Sequence, residues 1–364
     1  MAPSASRSRS SRLRRTSVAL LAGVALLATA GCAARGDAPA ASGSGQGDSG
    51  EVTQFAIVTP EKESDHGWNQ RGLVGAREVA NDLGLTLDEY ENVGYDNTEK
   101  ILGQVAEADN QLLIAHASGF NTPGVRVGES SGVPTLVVDY ENNVPGSVGT
   151  VITRAEEGGY LAGVAAAEST ETGVLGIVAS ADSLNWFQTA GGFAQGAYSV
   201  NPDLTIVMTY IGPASYGDSA GGKAAATQVI AAGADVIMGM GDGATLGYLQ
   251  AIETSTEAHP VRYIATLGDV SEIVTSPDTV LTSVLWDFSD AYRAAIEDVN
   301  AGTFGERTYE LNVANGGLSL QESAQLSTAA LAAVEAASAK IADGTVTVAP
   351  STTKDEVQQR IDGK

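Results

Sequence analysis

The chain has 364 residues, and its 20 Lys+Arg against 44 Asp+Glu leave a formal net charge of −24. That balance excludes a nucleic-acid or anionic-surface binder, whose partners need a basic footprint. A single Cys excludes an internal disulfide framework, and 43% hydrophobic residues exclude a disordered acidic chain.

The first 31 residues are built differently from the rest. Their only charges are Arg7, Arg9, Arg12, Arg14 and Arg15, followed by the apolar run Val18–Ala30. A bilayer span needs about 20 residues, so this run is too short to be an anchor. A basic start, a short apolar run and small residues before a cut read as an export signal over residues 1–31. Thr29-Ala30-Gly31-Cys32 resembles a bacterial lipobox, with Thr29 where Leu is usual. Cleavage there leaves Cys32 as a lipidated first residue; the plainer alternative is a secreted protein with an incidental Cys. Arg14-Arg15 hints at twin-arginine export, without the residues that should follow the pair. Residues 32–51 are mostly Ala, Gly, Ser and Asp and read as a flexible tether. Removing residues 1–31 takes away five Arg and no acid, so the remaining chain carries 15 − 44 = −29.

Beyond the tether, short β-branched runs alternate with Ala-rich helical stretches. The first half predicts strands at Thr53–Val58, Leu85–Tyr90, Gln111–Ala115, Pro134–Val138 and Ser147–Ile152. The second half predicts them at Val174–Ala179, Leu204–Thr209, Ala234–Met238, Arg262–Thr266 and Val280–Leu285. Helices are expected over Asn69–Leu83, Arg154–Ser169, Gly192–Val200, Lys223–Ala232 and Ala244–Thr254. Strand–helix–strand units of this size imply parallel sheets with crossover helices. The fold class is α/β, with two Rossmann-like lobes and a cleft between them. Lobe 1 is expected at 52–168 plus about 286–350, and lobe 2 at 169–285. An amphipathic helix over Gln321–Ala342 should pack on lobe 1, with a short strand at Gly344–Val348.

In open parallel sheets, ligands sit beyond the carboxyl ends of the strands. The first strand is followed by Asp65-His66-Gly67-Trp68-Asn69-Gln70, where Asp65 or Ser64 is a possible helix cap. The fourth strand ends in Asp139. In the second half the corresponding loops carry Trp186 and Phe187, then Tyr216, then Asp242, then Gly268 and Asp269; the last strand ends at Trp286. All three Trp residues thus fall at strand ends rather than within the elements. Aromatic planes with scattered carboxylates suit a flat, hydroxyl-bearing heterocycle: the ring is stacked, and a carboxylate accepts from adjacent hydroxyls. Singly, each Asp is more often a helix cap.

In this order the loops resemble those of the basic membrane protein family, substrate-binding lipoproteins of ABC transporters that include purine-nucleoside receptors. The likeness is carried by Asp65-His66-Gly67-Trp68-Asn69-Gln70, Gly192-Phe193, Asn201-Pro202, Tyr210-Ile211-Gly212, Tyr216-Gly217-Asp218, Gly233-Ala234-Asp235-Val236-Ile237 and Thr282-Ser283, with Gly268-Asp269 a looser fit. It covers about residues 52–320. It implies a type I periplasmic-binding-protein fold that closes on its ligand by a hinge, and a base stacked between Trp68 and Tyr216. It also implies amide contact from Asn69, base contact from Asp139 and sugar-hydroxyl contact from Asp242. The implied partners are a nucleoside-like small molecule and the permease and ATPase of an importer. The protein would be a monomer, lipid-anchored at the extracytoplasmic face of the bacterial membrane. Two departures bear on the pocket: Pro60 stands near a usual Asp, and Trp286 stands where Lys is usual.

Enzyme readings are weaker. Gly128-Glu129-Ser130-Ser131-Gly132 matches a nucleophile elbow, but a helix precedes it and a strand follows, the reverse of what that motif needs. Gly239-Met240-Gly241-Asp242-Gly243-Ala244 has the setting of a dinucleotide turn, yet Asp242 puts a carboxylate where pyrophosphate would bind. His66, His116 and His259 lack metal-ligand spacing and read as surface residues. The residues therefore point to a binding protein with no catalytic residue, cofactor or metal. A sugar-binding or signalling receptor of the same fold is the alternative, and an NAD-dependent enzyme a lesser one.

Overall fold

The computed structural model describes residues 51–363. The expected export signal, Cys32 and the tether up to residue 50 lie outside the described residues. Among the described residues, no helix is long and apolar enough to cross a membrane.

The chain builds two six-stranded sheets. The first contains β1 (Gln54–Val58), β2 (Thr86–Tyr90), β3 (Leu113–Ala115), β4 (Thr135–Val138), β5 (Val148–Thr153) and β11 (Thr308–Leu311). Its order is β11-β5-β4-β3-β1-β2, all parallel. The second contains β6 (Val174–Ala179), β7 (Thr205–Tyr210), β8 (Val236–Met240), β9 (Arg262–Ala265), β10 (Val280–Trp286) and β12 (Leu318–Leu320). Its order is β12-β10-β9-β8-β6-β7, with only β12 antiparallel. Central strands such as β8 are buried along their whole length, which is why they are continuous apolar runs: helices cover both faces.

The helices are α1 (Trp68–Leu83), α2 (Thr98–Ala106), α3 (Asn121–Ser131), α4 (Ala155–Ser169), α5 (Leu184–Val200), α6 (Ser219–Ala231), α7 (Thr245–Glu253), α8 (Ser289–Ala301), α9 (Thr328–Ala342) and α10 (Lys354–Gly363). The chain passes between the sheets three times: from β5 to α4, from β10 to α8, and from β11 to β12. Three such strands between two lobes make a hinge region rather than a single linker.

Sheet membership moves the expected lobe boundaries. Residues 155–168 were expected in lobe 1, but α4 packs on β8, β10 and β12 of the second sheet. The tail is corrected likewise. Helix α9 packs on α4, and α10 on α5, so residues beyond about 317 belong with lobe 2 rather than lobe 1. The cause is α4 itself: it is buried almost all round, and such a helix needs cover on its outer side. Ala330, Val334, Ala337 and Ile341 of α9 supply it as one helical stripe. The tail helix begins later than expected because the Ser327 hydroxyl caps it, accepting from the Ala330 N–H at 3.1 Å. Residues 344–348 run through a turn and a bend into irregular chain, not the expected strand. Strands β11 and β12 were missed; each is a short edge strand with little pattern to read.

Helices α4 and α5 touch backbone to backbone. A Cβ on Gly159 or Gly163 would meet the Thr189 or Phe193 carbonyl oxygen, and one on Gly192 or Gly196 would meet that of Glu156 or Tyr160. Glycine is required at this contact because any side chain would force the helices apart.

Candidate functional site

A cavity of 280 Å³ opens between the lobes at the strand ends. From lobe 1 it is walled by Trp68, Asn69, Ser118 and Asp139, and from lobe 2 by Asn185, Trp186, Tyr216 and Asp242, with Glu61, Tyr95 and Leu267 at its margins.

Helix α1 begins at the cavity because Asp65 organises its first turn. The Asp65 carboxylate accepts from the N–H of Gly67 (3.1 Å), Asn69 (2.8 Å) and Gln70 (3.2 Å), and from Asn69 Nδ2 at 2.7 Å. Negative charge is favourable there, since the first helical N–H groups have no intrahelical acceptor. Burial nevertheless pushes the Asp65 carboxyl above its usual range. Asp65 is therefore a cap and does not line the cavity. Its grip on Asn69 Nδ2 leaves Asn69 Oδ1 buried without a partner.

Trp68, the first residue of α1, is held by its surroundings. Its indole stacks on His116, with ring centroids 4.8 Å apart and planes at 24°. Trp286 and Phe288 meet it edge-on at 5.9 and 5.5 Å. Trp68 Nε1 donates to the His116 carbonyl at 3.3 Å. His116 is fully buried, which corrects its reading as a surface residue. Burial lowers its pKa to about 4, so the ring is neutral. The tautomer follows from its partners. The Trp68 carbonyl, 2.9 Å from Nε2, only accepts, so Nε2 carries the proton, and Nδ1 accepts from the Tyr292 hydroxyl at 2.7 Å.

Two carboxylates face the aromatic wall. Asp139 follows β4 with φ of 65°. Its carboxylate accepts from Ser118 Oγ (3.1 Å), Asn185 Nδ2 (2.7 Å) and Thr153 Oγ1 (3.4 Å). The Asn185 bond joins the lobes. Asp242 lies in the loop after β8, with Oδ1 3.5 Å from the Trp68 N–H of the other lobe. Burial raises Asp139 to about 6. Burial, followed by the charges of Asp65 and Glu61, raises Asp242 to about 7. Both carboxylates are half-buried and line the cavity. No Lys or Arg is among the lining residues to lower either value.

Of the candidates named from sequence, Trp68, Asn69, Asp139, Trp186, Tyr216 and Asp242 come together around this cavity. Phe187 does not; it is half-buried and packs against the core without lining the cavity. Trp286 is core as well, buried behind Trp68, so the residue standing for the usual Lys backs the aromatic wall instead of lining it. Trp186 is 4% exposed, and its Nε1 donor has no partner. The three Trp residues are thus less loop-like than their positions suggested: Trp68 and Trp186 sit in first helical turns and Trp286 ends β10. Gly268 packs by the Arg71 side chain, whose Nε donates to the Trp286 carbonyl at 2.7 Å. Asp269 binds the Ser271 N–H and Gln321 Nε2, away from the cavity. Pro60 is buried and does not line it. Glu61, Tyr95, Ser118 and Asn185 were not singled out; the available signal for all four was their place after a strand end, Tyr95 lying five residues past β2.

A family model described as ABC transporter substrate-binding protein PnrA-like matches residues 52–352. The chain belongs to this Bmp family. Its Bmp-type relatives include the purine-binding protein of Brucella abortus, 26% identical over 69% of each chain, and basic membrane protein A of Borreliella burgdorferi, 26% identical over 68% of this chain and 73% of that one. The transcriptional activator protein med of Bacillus subtilis is 26% identical over 72% of this chain and 80% of its own. The fold is shared with a solute-binding protein from Conexibacter woesei (TM-score 0.69, 22% identity, 83% of this chain and all of that one). It is shared too with one from Aeropyrum pernix (TM-score 0.72, 20% identity, 85% and 97%). Members of the Bmp family are extracytoplasmic substrate-binding proteins of ABC transporters rather than enzymes, with a small-molecule ligand and a permease as partners.

Proposed function

We propose that this protein is a lipid-anchored receptor that binds a nucleoside-like or other hydroxylated aromatic molecule between its lobes and hands it to the permease of an ABC importer, without chemistry. The observation that carries the reading is the cavity wall. Trp68, fixed from behind by His116, offers one open ring face, while Asp139 and Asp242 offer acceptors to hydroxyl or amino donors. The half-buried Tyr216 supplies the opposite aromatic, and Asn69 Oδ1 and Trp186 Nε1 supply an acceptor and a donor in search of partners. With carboxylates and no Lys or Arg in the wall, a nucleoside is favoured over a nucleotide, whose phosphate would meet like charge. The name of the Brucella relative is in keeping with a purine ligand. Anchoring would be through Cys32.

Closure of such receptors costs little, so the ligand's bridging contacts set the closed population. A thermal-shift screen of nucleosides, bases and sugars tests the ligand. A clear shift with a sugar and none with any nucleoside overturns the nucleoside reading. If nucleosides bind, unchanged affinity in both Trp68→Ala and Asp242→Ala refutes the site. A second reading, a receptor that reports its closed form to a regulatory partner instead of a permease, is favoured by the activator name of the Bacillus relative. Uptake of labelled ligand in cells lacking this protein separates the two: unchanged uptake supports signalling.

A further inference from the structure

We propose that the ligand site has a second chamber that takes a hydrogen-bond-donating, non-anionic arm of the ligand; this rests on the nucleoside reading above. A cavity of 510 Å³ adjoins the first. The two share Ser118, Asp139, Ser183, Asn185 and Tyr216 as a common wall. The second chamber lies on the flank where β5 crosses to α4. Its own walls are Asn121 at the start of α3, Tyr140 and Glu141 after β4, Arg154 at the crossover, and Asp182 and Gln188 from lobe 2.

Two features of this chamber point to a ligand. Asn121 Oδ1 and Gln188 Oε1 are buried acceptors without a partner. Asn121 Nδ2 is committed to the Asp139 carbonyl at 3.3 Å, which fixes Oδ1 as the free atom of that amide. Buried carbonyls left unpaired are costly and uncommon. Together with Asn69 Oδ1 and Trp186 Nε1, four unpartnered buried atoms belong to residues lining the two adjoining chambers. The second feature is charge. Asp139, Glu141 and Asp182 stand in the outer wall; of the cations beside them, Arg154 is already paired with Glu310 at 2.8 Å and the Lys354 ammonium lies 3.9 Å from Asp182. The outer chamber is therefore a field of acceptors. It suits amino or hydroxyl groups and opposes phosphate or carboxylate. A ring and its sugar would occupy the 280 Å³ inner chamber, and the arm would extend past Asp139 and Asn185 into the outer one.

The test is calorimetric titration of the purified protein with adenosine and with adenosine bearing an aminopropyl arm at N6 or at the 5′ position. One armed compound should bind about tenfold or more tightly than adenosine, the gain of a hydrogen bond to a charged or buried acceptor. Gln188→Leu should remove that gain and leave adenosine affinity unchanged; Gln188→Met takes its place if the Leu variant melts earlier. Adenosine binding with no gain from either arm overturns the second chamber alone, as does a gain that persists in both Gln188 variants. Failure of adenosine and both armed compounds overturns the nucleoside reading, and the second chamber with it.

Discussion

The Trp68 indole lies stacked on the His116 imidazole, ring centroids 4.8 Å apart, and each donates to the other's main-chain carbonyl: Trp68 Nε1 to His116 O, His116 Nε2 to Trp68 O. This reciprocal pair ties α1 to the end of β3 and leaves Trp68 one free face. A ligand ring can stack only there, so His116 is a positioning residue for the aromatic wall.

Replacing Trp68 with Ala should weaken nucleoside binding by about 0.5–1.5 kcal/mol from stacking beyond the area lost, with Trp68→Phe losing less. Titration calorimetry on both variants checks it; equal affinity in the Ala variant would remove stacking from the account.

His116→Ala should lower stability, because it orphans the buried Tyr292 hydroxyl and opens a void beneath Trp68. The lost partner alone is worth about 1–3 kcal/mol. Urea unfolding measures the loss, and Trp fluorescence of the folded variant should change as the indole gains freedom.

The same residue makes stability depend on pH. The His116 pKa is about 4 when folded, against about 6.5 unfolded. Between those values the unfolded chain holds more protons, so this contribution is complete above about pH 6.5 and is lost as pH falls towards 4. Wild type should lose stability over that window more steeply than His116→Phe, read by melting temperature against pH.

Asp242 acts with the opposite sign. Its folded pKa is raised to about 7 above an unfolded value of about 3.9. Its contribution is therefore favourable below about pH 4 and is lost as pH rises through 7. Asp242→Asn should melt higher than wild type at pH 8, lose that advantage near pH 4, and bind ligand less tightly. A variant less stable at pH 8 would show that Asp242 is held by partners other than those described.

Asn185→Ala removes the 2.7 Å bond to Asp139 that joins the lobes. A hydrogen bond to a carboxylate is worth about 1.5–3 kcal/mol, so ligand affinity should fall by about tenfold or more. Small-angle scattering should show a larger radius for the variant at subsaturating ligand.

Gly192→Ala sets a Cβ against the Glu156 carbonyl at the α4–α5 contact. Overpacking of this kind costs about 1–3 kcal/mol. Chemical denaturation reads the loss, and a neutral outcome would mean that the helices separate without penalty.

Much of the fold is legible in the chain because strands buried on both faces must be apolar throughout. Val174–Ala179 and its fellows stand out against Ala-rich helices for that reason. The cavity-lining residues Trp68, Asp139, Tyr216 and Asp242 could be named because each lies in the segment that follows a parallel strand, on the side where clefts form. Short edge strands such as Thr308–Leu311 and Leu318–Leu320 escaped, since three or four residues carry too little pattern.

The sequence by itself determined the α/β units, the strand-end loops and the acidic charge, because these follow from local periodicity and composition. Only the tertiary structure decided which strand-end residues face the cavity. Asp65 turns inward to cap α1, Trp286 joins the core, Phe187 packs half-buried against it, and His116 goes beneath Trp68. It also decided that α4 and the tail belong to the second lobe. The reason is physical: burial and hydrogen-bond satisfaction are settled by contacts between residues far apart in the chain, and neighbouring residues carry no record of them.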